Sequence, residues 1–247
     1  MRVEQLLRAT AKAEARHFWF RGFRAFMTPL VETAIGDRRD PRILDCGCGT
    51  GANVEWLDRF GTSFGFDQSP VGLGLARDAG RARLACATVT AAPFPTGSFD
   101  LVTSFDVLYS LEEPDERAAM AEMFRVTRPG GFVLINVAAM DVLRGDHSVL
   151  SREVRRYRRV DLERLVAGAG FSVVRLTYTN IALFLPLAGL RMIQRWRGLK
   201  PEPREISVPA APINALLTAL LLLESRWIRH FDGPFGSSLI CLARKPV

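Results

Sequence analysis

A glycine-rich turn after the first short apolar run of the chain carries the residues best suited to chemistry. The run Arg42–Cys46 is followed by the turn Gly47–Gly51 (GCGTG) and then by an apolar helical pattern. Glycines at the end of a strand let the backbone pass close to a ligand before it enters a helix N-terminus. Asp45 lies two residues before the first glycine. Its carboxylate would repel a pyrophosphate and would attract the cationic end of a ligand.

A second acid ends the next apolar run. Asp67 closes Ser63–Asp67 and lies 20 residues beyond Gly47, where a ribose-binding carboxylate is expected in a dinucleotide site. The turn also fits the loose pattern G-x-G-x-x-A, so NAD is one interpretation of these residues. Asp45 favours S-adenosylmethionine (SAM) instead, because SAM combines a ribose with an ammonium and a sulfonium.

The predicted strands and helices that must position these acids alternate along the chain. From Arg42 onward, short apolar runs alternate with amphipathic helical segments, which predicts an α/β fold with a mostly parallel sheet covered on both faces. The predicted strands are 42–46, 63–67, 84–88, 99–105, 132–137, 171–178 and 238–244. The predicted helices are 52–60, 71–81, 115–127 and a segment that starts from Asp161 as its N-cap. A mobile proline-rich loop is predicted over 198–212.

Four stretches, in order, resemble the class I SAM-dependent methyltransferases, in the branch that acts on small molecules. They are ILDCGCGTG (43–51), FGFDQS (64–69), APFPTGSFDLV (92–102) and RVTRPGGFVLINV (125–137). The resemblance implies a Rossmann-like, seven-stranded, mostly parallel sheet with an N-terminal helical lid and a C-terminal helical cap. The domain boundaries that follow are a lid (1–39), a SAM-binding core (40–180), a cap (181–236) and the last strand of the core sheet (237–247).

The resemblance also implies a set of cofactor-binding residues, with S-adenosylhomocysteine as the product. Where the family often has an acid beside the adenine, this chain has Thr88, and the Glu-His pair that often follows the fourth strand is replaced by Tyr109-Ser110. The residues expected at the methionine end are Asp45, Gly47, Cys48 and Gly49, with Trp19 and Arg21 from the lid. Those expected along the rest of the cofactor are Asp67, Gln68, Thr88, Val89, Phe105 and Tyr109.

The acceptor side has weaker signals. His147 follows the fifth strand, where ligands of open α/β sheets bind, and a neutral imidazole there could accept a proton from the acceptor. Tyr157 is the second candidate catalytic residue and lies within an arginine cluster, which could also be a solvated basic face. Further candidates for binding the acceptor are Phe18, Arg155, Arg156, Tyr178 and Asn180.

Composition narrows the classes of partner. The chain has 247 residues and a net charge of +7, yet residues 41–140 carry a net charge of −4. A uniform basic coat for nucleic acid is therefore absent, and a small-molecule acceptor, lipophilic or anionic, is expected. A nucleic-acid methyltransferase and a non-catalytic SAM-binding subunit are the alternatives. The four cysteines are expected to be reduced, and their spacing favours no metal site.

The region 181–235 is apolar and cationic. Residues 181–196 and 213–228 fit a hydrophobic substrate cap, a docking surface for an anionic membrane, or a dimer face. The most apolar stretch, 215–223, has nine residues, whereas a spanning helix needs about 20. No transmembrane segment or signal peptide is therefore expected, and a cytoplasmic monomer or homodimer, with or without peripheral membrane contact, is predicted.

Overall fold

A seven-stranded sheet in the order β3-β2-β1-β4-β5-β7-β6 forms the centre of the protein. The computed structural model describes residues 2–199 and 206–247. Strand β7 runs antiparallel to both of its neighbours, and the other strands pair in parallel. The predicted Rossmann-like, mostly parallel sheet is thereby confirmed. Its strands are β1 (Arg42–Cys46), β2 (Thr62–Asp67), β3 (Leu84–Cys86), β4 (Phe99–Phe105), β5 (Thr127–Ala138), β6 (Ser172–Thr179) and β7 (Ser238–Arg244).

Helices cover both faces of the sheet. One apolar cluster joins the inner faces of α5 and α7 to the sheet, and a second joins α2, α3 and α9 to the other side. This two-sided cover explains why the strands read as continuous apolar runs. The helices are α1 (Arg2–Ala13), α2 (Phe18–Ile35), α3 (Ala52–Leu57), α4 (Pro70–Asp78), α5 (Glu113–Val126), α6 (Asp146–Leu150), α7 (Arg159–Gly168), α8 (Phe184–Trp196) and α9 (Ala211–Ile228).

The segment expected to be an N-terminal lid divides into two parts. Helix α2 is a structural layer of the core, because Met27, Val31 and Ala34 are almost fully buried against the sheet. Only α1 and the turn after it remain on the cofactor side, where α1 packs on α4. The boundary of 1–39 therefore joins a core helix to a covering helix, since the sequence of α2 combines an apolar stripe with half-buried aromatic residues.

The segment expected to be a C-terminal cap also divides. Helix α9 packs along α2, on the outside of the core, through Leu221 and Ile228. Helix α8 packs instead on the short 3₁₀ helix Asp141–Leu143 that follows β5. Of the proline-rich loop predicted over 198–212, residues 200–205 lie outside the described residues, and α9 already begins at Ala211.

Helix α7 starts earlier than predicted. The sequence assigned Asp161 as the N-cap, but the helix begins at Arg159, so Asp161 lies in its first turn. The backbone N–H of Arg159 donates to the hydroxyl of Tyr178 on β6 at 3.1 Å. A side chain 19 residues away therefore satisfies a free donor at this helix end, and local sequence carries no sign of it.

Candidate active site

The glycine turn is held open by backbone geometry and by its packing. Gly47 has φ +77°, and a Cβ atom there would lie 2.5 Å from Cγ2 of Val107. Both its N–H and that of Cys48 donate to the carbonyl of Phe66 on β2, at 2.9 and 3.0 Å. A side chain at Gly47 would thus require a strained backbone and would collide with Val107, so the turn needs glycine here.

Asp45 places a carboxylate below the turn, inside the sheet. It is 2% exposed, and its Oδ1 accepts a hydrogen bond of 2.7 Å from Thr103 Oγ1 on β4. Burial raises the pKa of Asp45 to about 7, with a further increase from the charge of Asp67. A nearby cation would favour the ionised form. This buried acid therefore suits the cationic methionine end that the sequence predicts.

Asp67 ties the turn to the end of β2. Its Oδ2 accepts from the N–H of Gly49 and its Oδ1 from the N–H of Ser69, both at 2.8 Å. The residue is half-buried, so its carboxylate oxygens retain acceptor capacity towards the solvent side. This edge suits a ribose, and Gln68 is exposed beside it.

The other predicted cofactor residues lie around the same edge, with different surroundings. Thr88 is exposed after β3, and Val89 packs on the core beside it. Phe105 ends β4 and contacts the ring of Phe23 on α2 at 5.0 Å. Tyr109 is buried in the core and follows the same strand.

Cys48 is a packing residue. It is 7% exposed and lies against β2, where a Cβ on Gly65 would meet its Sγ at 2.9 Å. Burial raises the pKa of its thiol well above the usual range, so the thiolate is disfavoured. All four cysteines are free.

A network of charged groups attaches the N-terminal segment to the turn. Glu14, buried just after α1, accepts from Thr50 Oγ1 at 2.5 Å and from Arg81 at 2.7 Å. Arg81 also donates to the carbonyl of Thr50 at 2.7 Å. Leu7 of α1 lies over the turn, 3.5 Å from the Cβ position of Gly49. The covering element is therefore α1 with Glu14. Both lie within the predicted lid, but Glu14 itself was not selected, because contacts so distant along the chain leave no local pattern.

An arginine other than the predicted one lies near the turn. Arg21 is exposed on α2, whereas Arg24 donates to the carbonyl of Ala52 at the start of α3, at 3.3 Å. The Nε of Arg24 is buried and has no hydrogen-bond partner among the described residues. A buried donor without a partner at a helix N-terminus suits a carboxylate. Arg24 is therefore a further candidate for the arginine near the turn, and the role predicted for Arg21 stays a prediction.

The aromatic residues before Arg21 contact neighbouring elements. The N–H of Phe18 donates to Asn214 of α9 at 2.9 Å, and its ring stacks on His17. The N–H of Trp19 donates to His17 Nδ1 at 3.1 Å, which caps α2. Both side chains are half-buried. These contacts join α2 to α9 and leave the predicted roles of Phe18 and Trp19 as predictions.

An acid that the sequence analysis did not select lies at the end of β4. Asp106 has φ +60°, which is unusual for a residue other than glycine and occurs often at functional sites. Its side chain is open to solvent, yet crowding by surrounding protein raises its pKa to about 7. Asn136 on β5 donates to its Oδ1 at 2.9 Å, and the charges of Glu153 and Arg156 act on it in opposite directions. Asp106 is thus a titratable carboxylate at the carboxyl ends of β4 and β5.

The arginine-rich segment after β5 is attached to the rest of the protein through specific partners. The buried Tyr157 hydroxyl donates to Glu116 of α5, and Arg155 pairs with the same carboxylate at 2.9 Å. Burial, reinforced by Glu116, raises the pKa of Tyr157 far above its usual value. These contacts give Tyr157 and Arg155 a structural role that attaches the segment to α5. The catalytic role predicted for Tyr157 stays a prediction, and its hydroxyl already donates to a buried carboxylate.

Arg156 and His147 lie in the same segment, and the charge of Arg156 acts on Asp106. Arg156 pairs with Glu153 at 2.9 Å and donates to the carbonyl of Ala139 at 3.0 Å, so part of its guanidinium is engaged within the segment. His147 lies in α6, and its carbonyl accepts from the backbone N–H of Ser151. The roles predicted for both residues remain predictions.

Tyr178 and Asn180, the two candidates at the end of β6, lie in different surroundings. Tyr178 lines a surface groove of about 560 Å³ together with Met140, Arg158 and Arg159. Asn180, with φ +63°, donates to Ser238 Oγ at 3.2 Å and is buried between β6 and β7. Tyr178 therefore faces an accessible groove, whereas Asn180 joins two strands. Among residues 2–199 and 206–247, no group of three or more His, Cys, Asp or Glu side chains is arranged to hold a metal ion.

Comparison with known proteins agrees with this geometry. Residues 44–135 match the family described as methyltransferase domain. A demethylmenaquinone methyltransferase of Renibacterium salmoninarum is 35% identical over 111 residues, which cover 43% of this chain and 45% of that protein. The chain thus spans less than half the length of this curated relative.

Solved structures extend the likeness of the fold over most of the chain. A putative methyltransferase in complex with the Haloferax volcanii Trm112 activator has a TM-score of 0.63 at 17% identity, covering 98% of both chains. The Haemonchus contortus phosphoethanolamine N-methyltransferase 2, in complex with SAM, has a TM-score of 0.55 at 17% identity, covering 89% of this chain and 52% of that one. Residues 44–135 therefore carry a methyltransferase domain, and the comparisons support a SAM-dependent methyltransferase with SAM as its cofactor.

Proposed function

We propose that the protein transfers the methyl group of SAM to a small-molecule acceptor that is lipophilic or anionic. The observation that carries the proposal is the pair of acids at one glycine turn. The carboxylate of Asp45 is buried, and a bound cation would stabilise its ionised form. The carboxylate of Asp67 is half-exposed and is fixed by hydrogen bonds from the turn. The name of the demethylmenaquinone methyltransferase supports a lipophilic acceptor, since its substrate is a quinone.

The residues of the turn would bind and orient the cofactor. Asp45 would hold the ammonium end, Arg24 Nε the carboxylate, and Asp67 the ribose hydroxyls, while Thr88 and Val89 would flank the adenine. SAM supplies an electrophilic methyl group on a sulfonium. The apolar cover by Leu7, and by Phe105 packed on Phe23, would keep water from this site. Orientation in a dry site accounts for most of the rate of such a displacement.

Asp106 would act on the acceptor. Asp106 precedes Val107, which packs on Gly47 of the cofactor turn, so an acceptor bound at Asp106 would lie beside the cofactor. A carboxylate whose pKa is about 7 can accept the proton of an acceptor O–H or N–H as the new bond to the methyl carbon forms. His147 remains the alternative base.

The first test is a calorimetric titration with SAM and S-adenosylhomocysteine, followed by a methyl-transfer screen with lipophilic and anionic acceptors. We expect both nucleosides to bind and at least one small acceptor to be methylated. Binding of NADH in preference to SAM would overturn the proposal. Steeply salt-dependent binding of RNA, or SAM binding without transfer to any acceptor, would favour the nucleic-acid and the non-catalytic alternatives.

The role of Asp106 is tested on the active acceptor. We expect Asp106→Asn to lower kcat by about 10²-fold or more and to leave the Kd for SAM unchanged. Asp115→Asn, an exposed acid on α5, is the matched control and should change neither. An Asp106→Asn variant with normal kcat, together with a His147→Ala variant that is slow, would transfer the role to His147.

A cytoplasmic location and a monomeric or homodimeric state are part of the same proposal.

A further inference from the structure

Helix α9 has two apolar stripes, and only one of them is covered. Thr218, Leu221, Ser225 and Ile228 are buried, and Leu221 fits against Gly22 of α2, where a Cβ would lie 2.4 Å from it. The opposite stripe is exposed and repeats every three to four residues. It consists of Ile213, Leu216, Leu220, Leu223 and Trp227, with Leu216 69% exposed. Apolar stripes of this size on a protein surface mark an interaction site.

The charges around this stripe indicate what covers it. From Ala211 to Leu223 the helix has no charged residue, and it then ends in Arg226, Trp227 and Arg229, all exposed. Its one acid, Glu224, is already engaged, because its carboxylate accepts the N–H groups of Ile181 and Ala182 at 2.9 and 3.0 Å. The surface is therefore apolar with a cationic and aromatic end.

Helix α8 also has exposed apolar side chains and lacks acidic residues. Glu224 joins α9 to residues 181–182, and Leu185, one turn into the next segment, is 76% exposed. Helix α8 has no acidic residue, and Met192, Ile193 and Trp196 are exposed on it, with Trp196 at 90%. Two helices thus present apolar side chains and arginines to the outside, without exposed carboxylates.

We propose that the exposed stripe of α9 docks on an anionic lipid bilayer, with the exposed apolar residues of α8 as further contacts. A helix with an apolar face, arginines and tryptophans binds in the plane of the membrane interface. A second copy of the chain is the less favoured occupant. The spacing of the α9 stripe resembles a coiled-coil seam, but its flanks lack the charged residues that pair across such seams.

The length of α9 fits this placement. It has 18 residues with a mean hydropathy of 1.2, and 28% of it is buried inside the protein. By length and composition such a helix could span a bilayer, but Leu221 and Ile228 bind its other face to the core. Docking in the interface keeps both sets of contacts. The inference extends the proposed function, because a membrane is where a lipophilic acceptor would be found, yet it is measurable without any methyl transfer.

The test is co-sedimentation of the whole protein with two kinds of vesicles, phosphatidylcholine alone and phosphatidylcholine mixed with phosphatidylglycerol. We expect binding to the mixed vesicles, weaker binding to the neutral ones, and a decrease with added salt. Leu216→Glu with Leu223→Glu should weaken binding by more than about tenfold. Arg226→Gln with Arg229→Gln should weaken it by about fivefold per arginine.

Matched controls separate docking from general effects. Val174→Glu changes an exposed apolar residue on β6, and Arg39→Gln with Arg59→Gln removes two exposed arginines elsewhere, so both should bind like the wild type. If the double-glutamate variant does not fold, the emission of the native tryptophans decides, since Trp196 and Trp227 should shift to the blue with mixed vesicles. SAM titration of the same sample reports the cofactor site independently.

Two results would overturn the inference. One is absence of binding to mixed vesicles by a monomeric wild type. The other is a dimer in analytical ultracentrifugation that Leu216→Glu with Leu223→Glu dissociates, which would assign the surface to a second copy.

Discussion

The cofactor side and the proposed acceptor side, called here the cofactor half and the acceptor half, are built by different means. On the cofactor side, Asp45 and Asp67 project from strand ends and are fixed by backbone N–H groups and one hydroxyl of the sheet. On the acceptor side, the segment after β5 is held by charged side chains, chiefly through Glu116 and Glu153. A backbone-built half depends on the fold alone, whereas a half built from side chains can change with few substitutions.

The largest expected effect is a loss of SAM affinity caused by a change in the cofactor half alone. Asp45→Asn keeps the shape and a hydrogen-bonding group towards Thr103 but removes the buried charge. We expect the Kd for SAM to rise about 10²-fold or more, since losing one partner of a buried charge pair costs about 2–5 kcal/mol. Calorimetry measures this. Thr103→Val is the control, with a smaller loss, and an unchanged Kd in Asp45→Asn would show that this carboxylate does not face the cation.

A second comparison sets two arginines of α2 against each other. Arg24→Gln should weaken SAM binding by about tenfold to 10²-fold, because a hydrogen bond to a charged group contributes about 1.5–3 kcal/mol. Arg21→Gln is the matched control and should bind SAM normally, since Arg21 is exposed. The same titration decides both. The reverse ranking would support the prediction made from sequence.

The placement of these two arginines in the structure shows what the sequence could and could not predict. The fold and the turn were predictable, because Asp45, Gly47 and Asp67 stand in local patterns that strand ends impose. Arg24 and Glu14 were missed because their partners, at the start of α3 and in the turn, are brought near only by packing. Asp106 was missed for another reason: a positive φ and a crowded carboxylate are properties of the folded chain.

The next prediction uses the pH dependence of SAM binding to distinguish the cofactor half from the acceptor half. The folded-state pKa of Asp45 is raised to about 7, above its value in the unfolded chain. The free energy of unfolding of the unliganded protein should therefore decrease as pH rises from about 4 to 7. SAM affinity should increase over the same window, by up to about tenfold per pH unit, because the cation binds the ionised form.

Two variants assign this pH dependence. Asp45→Asn should flatten the pH profile of the Kd for SAM, measured by calorimetry between pH 5 and 7. Asp106→Asn should leave that profile unchanged, although it should remove part of the pH dependence of stability, because the pKa of Asp106 is also raised to about 7. If Asp106→Asn flattened the SAM profile instead, the two carboxylates would belong to one site and the division into halves would fail.

The smallest expected effect concerns the acceptor half and its two tyrosines. Tyr157→Phe removes a donor to the buried Glu116, which keeps its pair with Arg155, so the free energy of unfolding should fall by about 1–2 kcal/mol. Tyr178→Phe, the matched change, removes only an acceptor for the backbone N–H of Arg159 at an accessible groove, where water can replace it. Its loss should be smaller. Denaturant unfolding gives both values, and the Kd for SAM should stay normal in each variant. A weakened SAM affinity in Tyr157→Phe would mean that the side-chain network of the acceptor half also holds the cofactor turn in place.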